Sequence, residues 1–205
     1  MNYQEFHAKF HNMGCFSTHQ VYSWKPDFDK NNLGYWVAKN RLIKLRNGWY
    51  AFAEYKAKPN FALYVANRIY RPSYISLHTA LAFYGLIPES VVQVTSVTTL
   101  KTAEFTNDLA GYSYKSVQPD YFFGYDSLAL FEGHSLLLAL PEKALLDLFY
   151  LYPFYNTEQE MLDLRLDEDF LHNQLNRQLL REFTDRFVSP VMTKRTNLML
   201  TAYNL

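Results

Sequence analysis

The chain has 205 residues, 49% hydrophobic and 18% aromatic, with 20 Lys/Arg balancing 20 Asp/Glu. Such a composition argues against a disordered or low-complexity chain and gives enough apolar mass for a sizeable core in one or two domains. No run nears the roughly 18 apolar residues of a membrane span, and the single cysteine, Cys15, rules out an internal disulfide framework.

The N-terminal stretch MNYQEFHAKFHNMG has no apolar signal core, so a cytoplasmic protein is expected. Charge is unevenly spread. Residues 1 to 60 hold nine Lys/Arg against four acids, a net +5, and the remainder is correspondingly −5. Such asymmetry suggests a nucleic-acid-binding segment joined to something else.

Taken in order, the first segment places Phe6, Phe10 and Met13 on one helical stripe stopped by Gly14. Ser17 and Thr18 are N-cap candidates for a short second helix that ends before Pro26. Asp29 opens a third, with Leu33, Trp36, Val37 and Asn40 on its inner face. Its other face shows Asn31, Gly34, Tyr35 and Ala38, flanked by Asn32 and Lys39.

The stretch NRLIKLRNGWYAF follows, and Asn47-Gly48 predicts a two-residue hairpin turn. The expected pairs are Arg46 with Trp49, Leu45 with Tyr50, Lys44 with Ala51 and Ile43 with Phe52. Alternation then sends Ile43, Leu45, Tyr50 and Phe52 inward, and Lys44, Arg46 and Trp49 outward.

Three helices and a two-stranded ribbon predict a winged helix-turn-helix over residues 1–56, whose third helix can enter a major groove. Asn31, Asn32, Tyr35 and Lys39 would face bases, since Asn suits the adenine edge. Arg41, Lys44 and Arg46 would meet phosphates of double-stranded DNA. The plain alternatives are a solvated hairpin and a protein-protein module.

Residues 60–205 read as a second, mixed α/β domain, making the whole chain α+β. Helices are expected from Asn60 to before Pro72 and from the Ser76 cap to Gly85, where His78 reads as a surface or satisfied histidine. Four β-rich stretches follow: residues 91–99, 111–117, 121–131 and 134–140, with a turn at Glu132-Gly133. They predict a small antiparallel or mixed sheet. PEKALLDLFYL then begins a helix at Pro141, with Leu145, Leu148 and Phe149 packing and Glu142, Lys143 and Asp147 in water. Thr157 and Glu160 fit a capping box. Asp167 caps one long helix with Leu171, Leu175, Leu179, Phe183 and Phe187 every four residues. A last helix starts at Ser189-Pro190 and contains Val191, Leu198 and Ala202.

The common phosphate-loop, dinucleotide, zinc-protease, thiol-pair and serine-elbow motifs are absent from the sequence. His7 and His11 stand four apart, a metal-compatible spacing, but no acid or thiol sits at a suggestive distance from them, so they read as an exposed pair. A metal-dependent nuclease pattern is only fragmentary, at Asp120, Glu132 and Glu142-Lys143. No catalytic residue, metal or cofactor is expected. The alternative is an adaptor whose aromatic-rich residues 112–155 line a ligand pocket, or that carries such a nuclease-like site.

Five segments in sequence, NRLIKLRNGWYAF, SYISLHTALAFYGLIPE, VTSVTT, YFFG and LALPEKALLDLFYL, resemble the AbiEi-type antitoxin family over roughly residues 6 to 152. The resemblance implies a winged-helix domain that represses its own operon from the promoter region. It further implies a C-terminal domain that counteracts a nucleotidyltransferase-like toxin of a type IV abortive-infection system, without requiring a stable complex.

Overall fold

Helix α1 (Tyr3–Phe10) begins where the Asn2 side chain accepts the Gln4 amide, and it buries Phe6 and Phe10. The chain is seen here in a computed structural model that describes residues 2–89 and 92–205. A 3-10 turn follows α1 and leaves Met13 exposed rather than on the buried stripe. The chain then forms a short strand that sequence reasoning missed, β1 (Cys15–Ser17). Helix α2 (Thr18–Trp24) starts at a reciprocal capping box between Ser17 and Gln20. Helix α3 (Asn31–Ala38) buries Leu33 and Trp36, while Asn40, expected on that inner face, is exposed and turns left-handed at φ +53°.

Strands β2 (Leu42–Arg46) and β3 (Trp49–Phe52) form the predicted hairpin and join β1 in a sheet ordered β1-β3-β2. The register differs from expectation by one residue beyond Arg46. Arg46 faces Trp49, but Lys44 pairs with Tyr50, Ile43 with Ala51 and Leu42 with Phe52, with an irregularity at Leu45. Of the two turn residues only Gly48 takes positive φ, at +76°. The turn therefore lacks the doubly left-handed backbone whose twist matches the strands, and an extra residue on β2 absorbs the mismatch. Ile43, Leu45, Tyr50 and Phe52 are nonetheless all buried.

The second sheet gathers six strands: β4 (Ser73–Ile75), β5 (Gln93–Thr98), β6 (Ala103–Thr106), β7 (Gly111–Ser116), β8 (Tyr125–Ala129) and β9 (Ser135–Ala139). Their order is β6-β7-β5-β4-β9-β8. The pairs β4/β9 and β5/β7 are parallel and the others antiparallel, so the sheet is mixed. Strand β4, three residues long, gave no periodic signal in the sequence. Val91, the expected start of the first strand, lies outside the described residues.

Helix α4 (Phe61–Ile69) packs on β4, β5 and β9, and α5 (Leu77–Phe83) packs on β5 and on α6 (Pro141–Leu151). Asn60 and Ser76 precede their helices as expected, yet neither side chain caps; Asn60 sits at φ +57° and Ser76 turns to an acid elsewhere. Helix α7 (Glu158–Leu162) has the predicted Thr157/Glu160 box.

The expected long helix is two: α8 (Glu168–Asn173) and α9 (Arg177–Arg186). Asn176 recaps the chain between them by accepting the Leu179 amide, and the resulting rotation buries Leu180 instead of Leu179. Helix α10 (Pro190–Ala202) turns Met192, Arg195, Thr196, Met199 and Leu200 inward and leaves Val191 exposed.

The predicted wet residues of α6 are corrected too. Glu142, Lys143 and Asp147 are all buried, the last two completely. One contiguous apolar cluster runs from Phe6 to Tyr203. Among the described residues, no helix is long and apolar enough to cross a membrane.

Candidate nucleic-acid interface

The outer face of α3 follows from its inner one. With Leu33 and Trp36 fixed in the core, helical geometry points Asn31, Gly34, Tyr35, Ala38 and Lys39 to solvent, and all five are exposed. Asp29 anchors the start: its Oδ1 accepts the Asn31 amide at 2.9 Å. The Asn32 amide group donates to the Asp29 carbonyl at 3.0 Å, so this half-buried residue partly serves the helix end. The Asn31 side chain makes no hydrogen bond among the described residues. Tyr35 is 57% exposed, and the Lys39 ammonium lies 5.8 Å from its ring centre.

Arg41 follows the helix and stays exposed, its guanidinium 4.6 Å from the ring centre of Tyr3. Lys44 projects from β2 and is exposed. Among the described residues, Lys39, Arg41 and Lys44 have no carboxylate partner. The later basic residues of this half do: Lys58 pairs with Glu132, and Lys56 reaches Asp108 at 3.9 Å.

Arg46 departs from the expected outward cation. Its guanidinium lies between the rings of Tyr70, at 5.0 Å, and Phe105, at 4.8 Å, and donates to the Ile69 carbonyl at 3.3 Å. Just before it, the bulged Leu45 offers its carbonyl to Asn107 at 2.9 Å. The bulge thus frees a carbonyl that the loop after β6 satisfies, and Arg46 is drawn onto the second sheet rather than presented beside Lys44. A groove of about 620 Å³ runs along this seam, lined by Val37, Lys44, Arg46, Phe105 and Asp108 among others.

A second concavity, about 520 Å³, opens beside α4 and β9, where Arg68, Arg71, Asn67, Ser73, Phe122 and Tyr125 converge. Burial, together with the neighbouring Arg68 charge, holds the Arg71 guanidinium below its usual pKa. Of the aromatics of residues 112–155, Tyr112, Tyr114 and Phe149 are fully buried, whereas Phe122 and Tyr125 line this concavity.

The fragmentary nuclease pattern is not assembled. Asp120 lies in a 3-10 turn, Glu132 is held by Lys58, and Glu142 accepts the Asn176 amide at 2.8 Å. Lys143 instead closes a buried network. Its ammonium bonds Asp147 and donates to the Tyr74 hydroxyl at 3.0 Å. Asp147 in turn accepts from Tyr74 at 2.9 Å and from Ser76 at 2.7 Å. Burial holds the Lys143 pKa below its ordinary value, opposed by the Asp147 charge. Gly124, at φ +71°, lets the chain pass this lysine; a Cβ there would lie 2.9 Å from Phe183 and 3.0 Å from Lys143.

No family model and no curated protein matches this chain. The site therefore has to be read from its own chemistry. Cys15 adds little to it, because burial pushes its thiol up to about 12 and suppresses the reactive thiolate.

Proposed function

We propose that the chain is a winged-helix DNA-binding regulator acting as the antitoxin of an AbiE-like type IV toxin-antitoxin system. On this reading it represses its own operon and counteracts a nucleotidyltransferase-like toxin. One observation carries the DNA-binding part: Lys39 at the end of α3, Arg41 after it and Lys44 on β2 are all exposed, and among the described residues none is paired with a carboxylate. Surface cations without a carboxylate partner stay available to phosphates, and a helix with an exposed face beside a hairpin has the form of a groove reader. Asn31 and Tyr35 stand where base edges would be read, while Lys39, Arg41 and Lys44 position the domain on the backbone. Arg46 is assigned to the seam instead. The antitoxin part rests on the resemblance of the five sequence segments.

The test is binding of the full chain to duplex from upstream of its own gene between 50 and 200 mM salt, on the order of the range where such contacts respond. Lys39→Ala combined with Lys44→Ala should weaken binding to every sequence and flatten the log-log salt slope by about 1.8, at roughly 0.9 per phosphate. Asn31→Ala should change sequence preference with the slope kept. A double variant that binds as the parent does at both salts would defeat the reading. For the antitoxin part, co-expression with the product of an adjacent nucleotidyltransferase-like gene should relieve growth arrest. The concavity with Arg68 and Arg71 supports a second reading, an adaptor with an anionic small ligand; loss of ligand binding in Arg71→Ala, with DNA binding absent throughout, would favour it.

A further inference from the structure

Two histidines that sequence reasoning left as an exposed pair are brought to an acid 43 residues or more away in the chain. His7 and His11 lie one turn apart at the end of α1, and their rings stack with centres 4.5 Å apart and planes 21° apart. Nε2 of His7 and Nδ1 of His11 open toward the same carboxylate. Glu54 meets them there, two residues beyond β3. Its Oε1 lies 2.7 Å from His7 Nε2 and 2.8 Å from His11 Nδ1. The first contact is a hydrogen bond. The second lacks hydrogen-bonding geometry, so the buried His11 Nδ1 has no hydrogen-bond partner among the described residues.

From this we infer a divalent transition-metal site, of zinc type, made by His7, His11 and Glu54. Two imidazole nitrogens and a carboxylate oxygen within 4.8 Å of one another are a borderline-soft donor set that suits Zn²⁺. Ligand atoms around a tetrahedral zinc stand about 3.3 Å apart, given metal-ligand distances near 2.0–2.1 Å. Opening the two oxygen–nitrogen contacts by about half an ångström brings them to that spacing, and Glu54, with its side chain 55% exposed, is free to make the change. His7 would carry its proton on Nδ1 and His11 on Nε2, leaving the facing nitrogens free for the metal. Solvent takes the fourth position on the open side.

The position gives the site a consequence. His7 lies in α1 and His11 caps its end, whereas Glu54 lies in the first turn of the 3-10 segment (Ala53–Ala57) that leads out of the small sheet toward α4. The Tyr55 hydroxyl already donates to the His11 carbonyl at 2.8 Å, and metal would strengthen the link between the same two segments. Binding that exists only in the folded state raises stability by mass action. This inference stands apart from the DNA-binding proposal, since none of the three residues belongs to the α3 face.

The experiment is titration of the full chain, freed of metal by chelator, with Zn²⁺ by calorimetry and with Co²⁺ by visible absorption. One equivalent should bind, with Co²⁺ giving ligand-field bands and Zn²⁺ raising the melting temperature. His11→Ala should abolish both effects, and Glu54→Gln should weaken binding at least tenfold; His134→Ala and His172→Ala should leave it unchanged. Melting curves in chelator show whether each variant folds, and the exposed, isosteric Glu54→Gln keeps the test decisive if a histidine variant does not. Absence of stoichiometric binding, or binding that survives both His11→Ala and Glu54→Gln, would overturn the site.

Discussion

Lys44 and Lys143 are the same residue type in opposite settings, and the two regions around them differ accordingly. On the α3–hairpin side, lysines and an arginine stand in solvent and, among the described residues, no acid is paired to them. In α6, Lys143 and Asp147 are fully buried and locked with Tyr74 and Ser76. A charge taken out of water must be matched, because leaving it alone costs far more than the pair returns. A charge in water is nearly neutral for stability and stays available to a partner. Burial thus separates a structural lysine from one that can serve recognition, a distinction residue type cannot express.

The largest expected effect tests the buried side of this contrast. Asp147→Ala strands an ammonium beside Phe123 and Phe187, whose ring centres lie 4.9 and 5.3 Å away. It should cost about 3–5 kcal/mol in urea unfolding. Joint replacement by Lys143→Met and Asp147→Leu should recover only part of that loss, because the buried Tyr74 and Ser76 hydroxyls lose their acceptor. A single variant as stable as the parent would mean the pair is reached by water.

Arg46 lies between the two extremes, and its removal should have an intermediate effect. Arg46→Ala gives up two aromatic faces and a carbonyl bond, about 1–2 kcal/mol in total. Hydrogen exchange should quicken in β2 and β6 together, since the residue bridges them. Exchange that quickened in β2 alone would argue against the seam.

The smallest effect belongs to the exposed face. Lys39→Ala and Lys44→Ala should each stay within about 0.5 kcal/mol of the parent in the same unfolding assay. Their consequence is reserved for the salt-dependent DNA titration. A large stability loss from either would place that lysine among the structural ones.

Much of the molecule is legible from neighbours within four residues. Ser17 with Gln20 and Thr157 with Glu160 start helices where expected, Pro141 opens α6, and Asn47-Gly48 turns the hairpin. The solvent face of α3 follows from the spacing of Leu33 and Trp36. Caps, turns and periodicity are local physics, so the linear order of residues carries them whole.

The rest was decided by contacts far apart in the chain. Strands β1 and β4 are three residues long and exist because a longer neighbour pairs with them, not because of any pattern of their own. The slip at Leu45 answers to Asn107, 62 residues on, and the seating of Arg46 answers to Tyr70 and Phe105. Glu54 reaches His7 across 47 positions, and Tyr74 reaches Asp147 across 73. Local composition could place these ionisable residues on their helices and loops. Which became wet, which became paired and which converged depended on the cost of desolvating a charge, and that cost exists only once the layers have closed around it.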